Sequence, residues 1–231
     1  MPAFSLPLTT KRAFNRMAAD LRRALDERFV ALVAYGAAGA SAAFASTVTP
    51  GDLDALGPLV ESWHRDGLAT PLVITPDEFH RSLDAFPIEY QTMLDHHVVI
   101  AGDPPFAGVA VRPEDLRRAC EAQARGHLIH LRQGWLQAAG HDHALGDLIA
   151  RSAEPFRALL GHVARLHGRP HHTNTEIVAF AEERVGLPAG IVKAVIDLTH
   201  HPEHGDALVA RLGEYLRATE QLWSFVDAWR S

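Results

Sequence analysis

Strand-like patterning in this chain stops at Val111. Up to that point, apolar runs of strand length alternate with helical spacings; beyond it every apolar pattern has helical periodicity. A chain ordered in this way is expected to be α+β. It would hold a small mixed α/β sheet domain at residues 1–112, then a C-terminal helical bundle at residues 113–231. With 231 residues, 47% of them hydrophobic and 22% charged, either part is large enough to bury a core.

In the first part, Phe14, Met17, Leu21, Leu25 and Phe29 recur at threes and fours, an amphipathic helix with Thr9 or Thr10 as its expected N-cap. Phe29 to Tyr35 reads as a buried strand that Gly36-Ala-Ala-Gly39 ends, and Ala42 to Val48 as a second strand. Asp52 to Asp66 is helical and is closed by Gly67. Pro71 to Thr75 is a third strand, and Thr75-Pro-Asp-Glu78 opens a helix. Ile88 to Met93 and His97 to Ala101 read as two further strands. In the second part, helices are expected from Pro113 to about Ala139, and from His143 to His167 with a kink at Pro155. Others follow from Ile177 to Val185 behind a Thr173-x-x-Glu176 capping box, from Pro188 to Thr199, and from Asp206 to Trp229.

Charge and cysteine content exclude several classes. Lys plus Arg is 22 against 28 acidic residues, a formal charge of −6, which offers no basic surface for nucleic acid or an anionic membrane. A single cysteine, Cys120, rules out an intramolecular disulfide and a Cys-rich zinc site. Within a helix it is expected to be buried as a small apolar residue. The longest apolar stretch, Phe29 to Phe44, is interrupted by Gly36, Gly39 and Ser41 and is too short to span a bilayer. Without a signal-peptide pattern at Met1 to Thr10, the expected location is cytoplasmic.

Two segments carry a family likeness. Leu32-Val-Ala-Tyr-Gly36-Ala37 and His96-His-Val-Val-Ile-Ala-Gly-Asp-Pro-Pro-Phe106 resemble segments of the nucleotidyltransferase superfamily, the fold of DNA polymerase beta and the antibiotic nucleotidyltransferases. In that family an apolar strand leads into Gly-Ser, and a strand followed by Gly, Asp and Pro precedes the helical domain. The resemblance implies in-line nucleotide transfer assisted by divalent metal, with Mg2+ as the cofactor of an active member. It also implies that Gly36, Ala37, Gly39 and Ser41 lie where the family holds a nucleotide. Phe86-Pro-Ile-Glu-Tyr90 then places Glu89 about where a third carboxylate sits on a strand.

The chain departs from that pattern at the residues that matter for chemistry. Ala37 replaces the serine, and Ser41 has the wrong offset to restore it. The second strand carries no acid, whereas the family needs two carboxylates on one strand face to share a metal. Asp52-Leu-Asp54 has the acid-apolar-acid form and with Glu89 would make a set of three ligands. Yet Leu53, Leu56, Val60 and Trp63 follow at helical spacing, which favours a helix start with Asp52 as cap and Asp54 in the first turn. The expected function is that of a catalytically degenerate nucleotidyltransferase-like protein. It would bind a nucleotide or small molecule, or act as a regulatory or interaction module. The alternative is an active metal-dependent transferase acting on a small molecule or protein hydroxyl. Homodimerisation through Trp223, Phe225 and Trp229 is a further expectation.

Histidines invite a separate metal reading, with fifteen in the chain and eleven beyond residue 112. His127-x-x-His130 puts two imidazoles near one helical face, but Leu128 and Leu131 mark the adjacent face as core. His141-Asp-His143, His171-His172 and His200-His201-x-x-His204 fall at helix ends or in loops. Arg165 to His171 has the Arg-spacer-His form of helical ribonuclease toxins, but Gly168 and Pro170 interrupt the helix which that motif needs.

Overall fold

The computed structural model describes residues 6–36, 39–138, 140–168, 173–188 and 190–229. The chain divides into two compact units, Met1–Arg112 and Pro113–Ser231.

The first unit is built on a four-stranded mixed sheet: β1 (Phe29–Tyr35), β2 (Ser41–Ala45), β3 (Leu72–Ile74) and β4 (His97–Gly102), in the order β3-β2-β1-β4. β1 is antiparallel to both β2 and β4, while β3 lies parallel to β2. Parallel pairing needs a crossover, which α2 (Pro50–Leu56) and α3 (Val60–Arg65) supply. The period-2 rule then separates the faces. Leu32, Ala34, Ala43 and Ala45 join Phe14, Met17, Leu21 and Leu25 of α1 (Leu8–Leu25) in one cluster, which Trp63 and Leu68 extend. On the other face Phe44 meets Phe79 and Phe106 edge-on, with centroids 5.5 and 5.7 Å apart, and Phe79 meets Tyr90 at 4.8 Å. A sheet covered on both sides explains why β2 carries small or apolar residues throughout rather than alternating, since all five of its residues are buried.

Several local expectations are corrected. Ile88 to Met93 is not a strand but part of helix α5 (Pro87–Asp95). Pro87 sits at its first turn, Pro87, Tyr90 and Met93 are buried at intervals of three, and the Thr92 hydroxyl donates back to the Ile88 carbonyl at 2.9 Å. α1 begins at Leu8 with Pro7 at the N-cap, so neither Thr9 nor Thr10 caps it. The Asp52–Asp66 helix breaks into α2, a 3-10 turn at Gly57–Leu59 and α3, because Pro58 has no N–H to continue the ladder. Its N-cap is Thr49, with Asp52 three residues in. The helix expected to open at Thr75-Pro-Asp-Glu78 is α4 (Pro76–Arg81), and Thr75 caps it in a capping box with Glu78.

The second unit is helical. α6 (Pro113–Gln137), α7 (Asp142–Leu166) and α10 (Leu212–Asp227) pack with the shorter α8 (Asn174–Phe180) and α9 (Ile191–Asp197). Leu131, Ile149, Phe156, Leu160, Val163, Val192 and Leu222 are among the side chains sealed in its core. The Thr173–Glu176 capping box is present, and α8 runs on into a π turn at Ala181–Val185. The expected helix from Asp206 is instead a 3-10 segment, Pro202–Arg211, that turns α-helical at Leu212. Phe225 stacks on His167 at 4.8 Å, Trp229 meets the same ring at 6.3 Å, and Arg125 lies over Trp223. Among the described residues no helix is long and apolar enough to cross a membrane.

Candidate functional site

The β1–β2 connection begins at Gly36, whose φ is +58°, and Gly39 at +85° returns the chain to β2. The Tyr35 amide donates to the Ala40 carbonyl (3.2 Å), and the Ala69 amide donates to the Gly39 carbonyl (2.9 Å). A Cβ at Gly39 would lie 2.7 Å from the Gly67 carbonyl oxygen, so close backbone packing accounts for this glycine. Ser41 is buried with its hydroxyl 3.7 Å from the Met17 sulfur, turned into the α1 interface rather than toward a ligand. Ala37 lies outside the described residues.

The three candidate carboxylates have separate surroundings. Asp52 closes the α2 capping box: one oxygen accepts from the Thr49 amide and hydroxyl, each at 2.8 Å, and from Arg28 at 2.6 Å. The other oxygen accepts from the second Arg28 nitrogen at 2.6 Å, which completes a two-pronged ion pair. The Asp52 side chain is 6% exposed and that of Arg28 36%. Arg28 first, and then Thr49, hold the Asp52 carboxyl well below the usual carboxylate range. Asp54, two residues on, is exposed. Glu89, in the first turn of α5, accepts from the Tyr35 hydroxyl at 2.6 Å; burial, followed by this carboxylate, raises the Tyr35 phenol above its ordinary value. Asp52, Asp54 and Glu89 form no group of the closeness that a shared metal requires; among the described residues His201, Glu203 and His204 do.

Beside the sheet edge, β3 and α4–α5 enclose a groove of about 570 Å3. Leu72 and Ile74 form its floor, Arg81 brings a guanidinium, and Phe86 and Tyr90 bring rings. Phe86 is 55% exposed, unusual for a phenylalanine, and Arg81 pairs with Asp77 at 3.5 Å.

A second recess, of about 310 Å3, lies between α6 and α7, where His127, His130, Gln123 and Pro155 line it. The His127 Nε2 is 2.7 Å from the Tyr215 hydroxyl, which is 3.1 Å from the Ser152 hydroxyl; Ser152 donates to the Ile149 carbonyl at 2.7 Å. His127 also stacks on Phe156, with ring centroids 5.6 Å apart. It therefore turns toward Tyr215 while His130 stays exposed, and among the described residues no group of three metal-ligating side chains includes the pair. Cys120 is buried, and burial pushes its thiol up to about 12, consistent with a packing role. His171, the second half of the Arg-spacer-His motif, lies outside the described residues.

Burial first, then His130, holds His127 down to about 4, against an ordinary 6.5. Between those values the unfolded chain binds the additional proton. The stability due to the neutral ring is therefore complete above about pH 6.5 and is lost as the pH falls toward 4. Urea denaturation at a series of pH values is expected to show a loss on the order of 2 kcal/mol across this window. His127→Gln is expected to remove that ring's share of the fall and to leave the share of His162, which burial first and then Arg165 also hold down to about 4; a fall in the variant equal to that of the wild type would contradict a neutral, buried His127.

No protein-family model matches the chain, and no curated protein matches it.

Proposed function

We propose that this chain is a nucleotidyltransferase-like protein in which metal-dependent transfer has given way to binding. The observation behind this is the state of Asp52, whose two oxygens are taken by Arg28 and Thr49. A carboxylate already neutralised by a guanidinium is a poor metal ligand, because binding the metal would strip away the cation and leave Arg28 unpaired. Asp52 serves the helix, Glu89 serves Tyr35, and β2 offers no acid in their place.

The binding surface in this reading is the groove at β3, and its ligand is of the nucleotide class. A base stacks on an exposed ring and a phosphate pairs with a guanidinium; Phe86 and Arg81 supply one of each on the same groove. Calorimetric titration with the four ribonucleoside triphosphates, with and without Mg2+, tests it. Binding is expected to be insensitive to Mg2+ and to weaken about tenfold in Phe86→Ala, from loss of one stacking contact, and about tenfold again in Arg81→Ala, from loss of the charged phosphate contact. Magnesium-dependent labelling that Asp54→Asn abolishes would establish the active transferase instead. Asp54 is the better probe because it is exposed, whereas Asp52→Asn would disturb the cap and ion pair as well. Silence across the panel overturns the nucleotide reading.

A further inference from the structure

Ahead of the 3-10 segment Pro202–Arg211, one tight turn assembles three metal-competent side chains. His201 is its N-cap residue, Pro202 its first residue, and the His204 amide donates to the His201 carbonyl at 3.1 Å. In a 3-10 turn, residues three apart eclipse one another. The imidazoles of His201 and His204 accordingly stack, with centroids 5.5 Å apart and planes inclined by 23°. Glu203 extends its carboxylate to both: one oxygen lies 3.4 Å from the His201 Nδ1 and 3.8 Å from the His204 Nε2. The three ligand atoms all fall within 4.8 Å of one another.

Those separations have a chemical meaning. Zinc holds nitrogen and oxygen ligands at about 2.0–2.2 Å in a tetrahedron, so neighbouring ligand atoms stand about 3.3–3.6 Å apart. The trio approaches that spacing with no ion pair to dismantle beyond its own. Two imidazoles and one carboxylate select a borderline transition ion over Mg2+ or Ca2+, which prefer all-oxygen sets. All three side chains are exposed, at 60, 62 and 67%, so nothing blocks entry and the fourth position faces solvent.

We infer that His201, Glu203 and His204 form a three-ligand site for a divalent transition ion of the zinc class, with a water as fourth ligand. It lies wholly in the second unit and does not depend on the nucleotide reading. Glu203 also lines a recess of about 640 Å3, together with Asp147, Arg151 and Glu154.

The test is competition for Zn2+ between the untagged full-length chain and a chromogenic chelator, followed by Co2+ substitution. One equivalent is expected to bind, and Co2+ is expected to give the intense visible absorption of a tetrahedral site. His201→Ala, His204→Ala and Glu203→Gln should each weaken binding at least about tenfold, as loss of one ligand in three requires. His64→Ala, on an exposed histidine of the first unit, should leave it unchanged. All four positions are exposed, so unchanged circular dichroism is expected throughout. Wild-type affinity in the His201 and His204 variants, or several equivalents of equal weak affinity, would overturn the site.

Discussion

Gly102→Ala is expected to destabilise the first unit by about 3 kcal/mol, read as a fall in the urea midpoint. Gly102 ends β4 opposite Ala31 with φ at +72°, and an added Cβ would fall inside the contact shell of the Val30 carbonyl oxygen. The Val30 carbonyl carbon and the Ala31 Cα would lie at 2.9 and 3.0 Å, so the obstruction is backbone rather than a side chain able to rotate away. β1 has no room to retreat, because β2 pairs with its other edge and most of its side chains are buried. Gly108 supplies the control: its φ is also +72°, but nothing lies within 4 Å of the corresponding Cβ. Gly108→Ala should cost only the left-handed backbone term, about 1 kcal/mol. Equal losses in the two variants would mean that β4 does not pair with β1 in this register.

The second large effect belongs to the contact between α7 and the 3-10 segment, where two glycines meet. A Cβ at Gly146 would sit 2.7 Å from the Asp206 amide nitrogen and 2.9 Å from its Cα, and would also run into the Asp206 carboxylate. A Cβ at Gly205 would in turn strike the Gly146 carbonyl, with the carbonyl carbon at 2.8 Å. Each glycine makes room for the other's main chain, so Gly146→Ala and Gly205→Ala are each expected to cost about 2–4 kcal/mol as overpacking against rigid backbone. Gly161→Ala, on the same helix, should do the opposite. Its Cβ would come no nearer than 4.0 Å to the Ile177 Cδ1, and alanine is the better helix former by about 0.5–1 kcal/mol. Opposite signs on a single helix are a demanding outcome; thermal unfolding of the three variants decides it.

Much of the architecture was legible before any coordinate. Phe29 to Tyr35 is β1 residue for residue, since a run of branched and aromatic side chains bounded by glycine admits few other readings. The capping box at Thr173 and the helix start at Thr75 were equally plain, because a cap and its reciprocal partner lie three residues apart. Ile88 to Met93 misled because six residues satisfy alternation and three-residue spacing alike; Phe79, outside the segment, supplies the ring that Tyr90 packs on, and Phe106 packs on Phe79 in turn. The break at Pro58 and the 3-10 course of Pro202–Arg211 arise in the same way, where local rules permit more than one helical geometry.

The candidate site divides along the same line. Composition and short-range spacing alone determined the α+β class, the missing acids of β2, the glycine turn and the helix starts at Thr75 and Thr173, all of which depend on contacts a few residues apart. Tertiary structure decided what those residues are used for. Arg28 reaches Asp52 across 24 positions and Tyr35 reaches Glu89 across 54, while His127 meets Tyr215 across 88. Each of these partners gains its meaning from burial beside a charge or hydroxyl, and no local pattern encodes which distant group will be brought there. Backbone periodicity is a property of neighbours, whereas electrostatic commitment is a property of the packed interior.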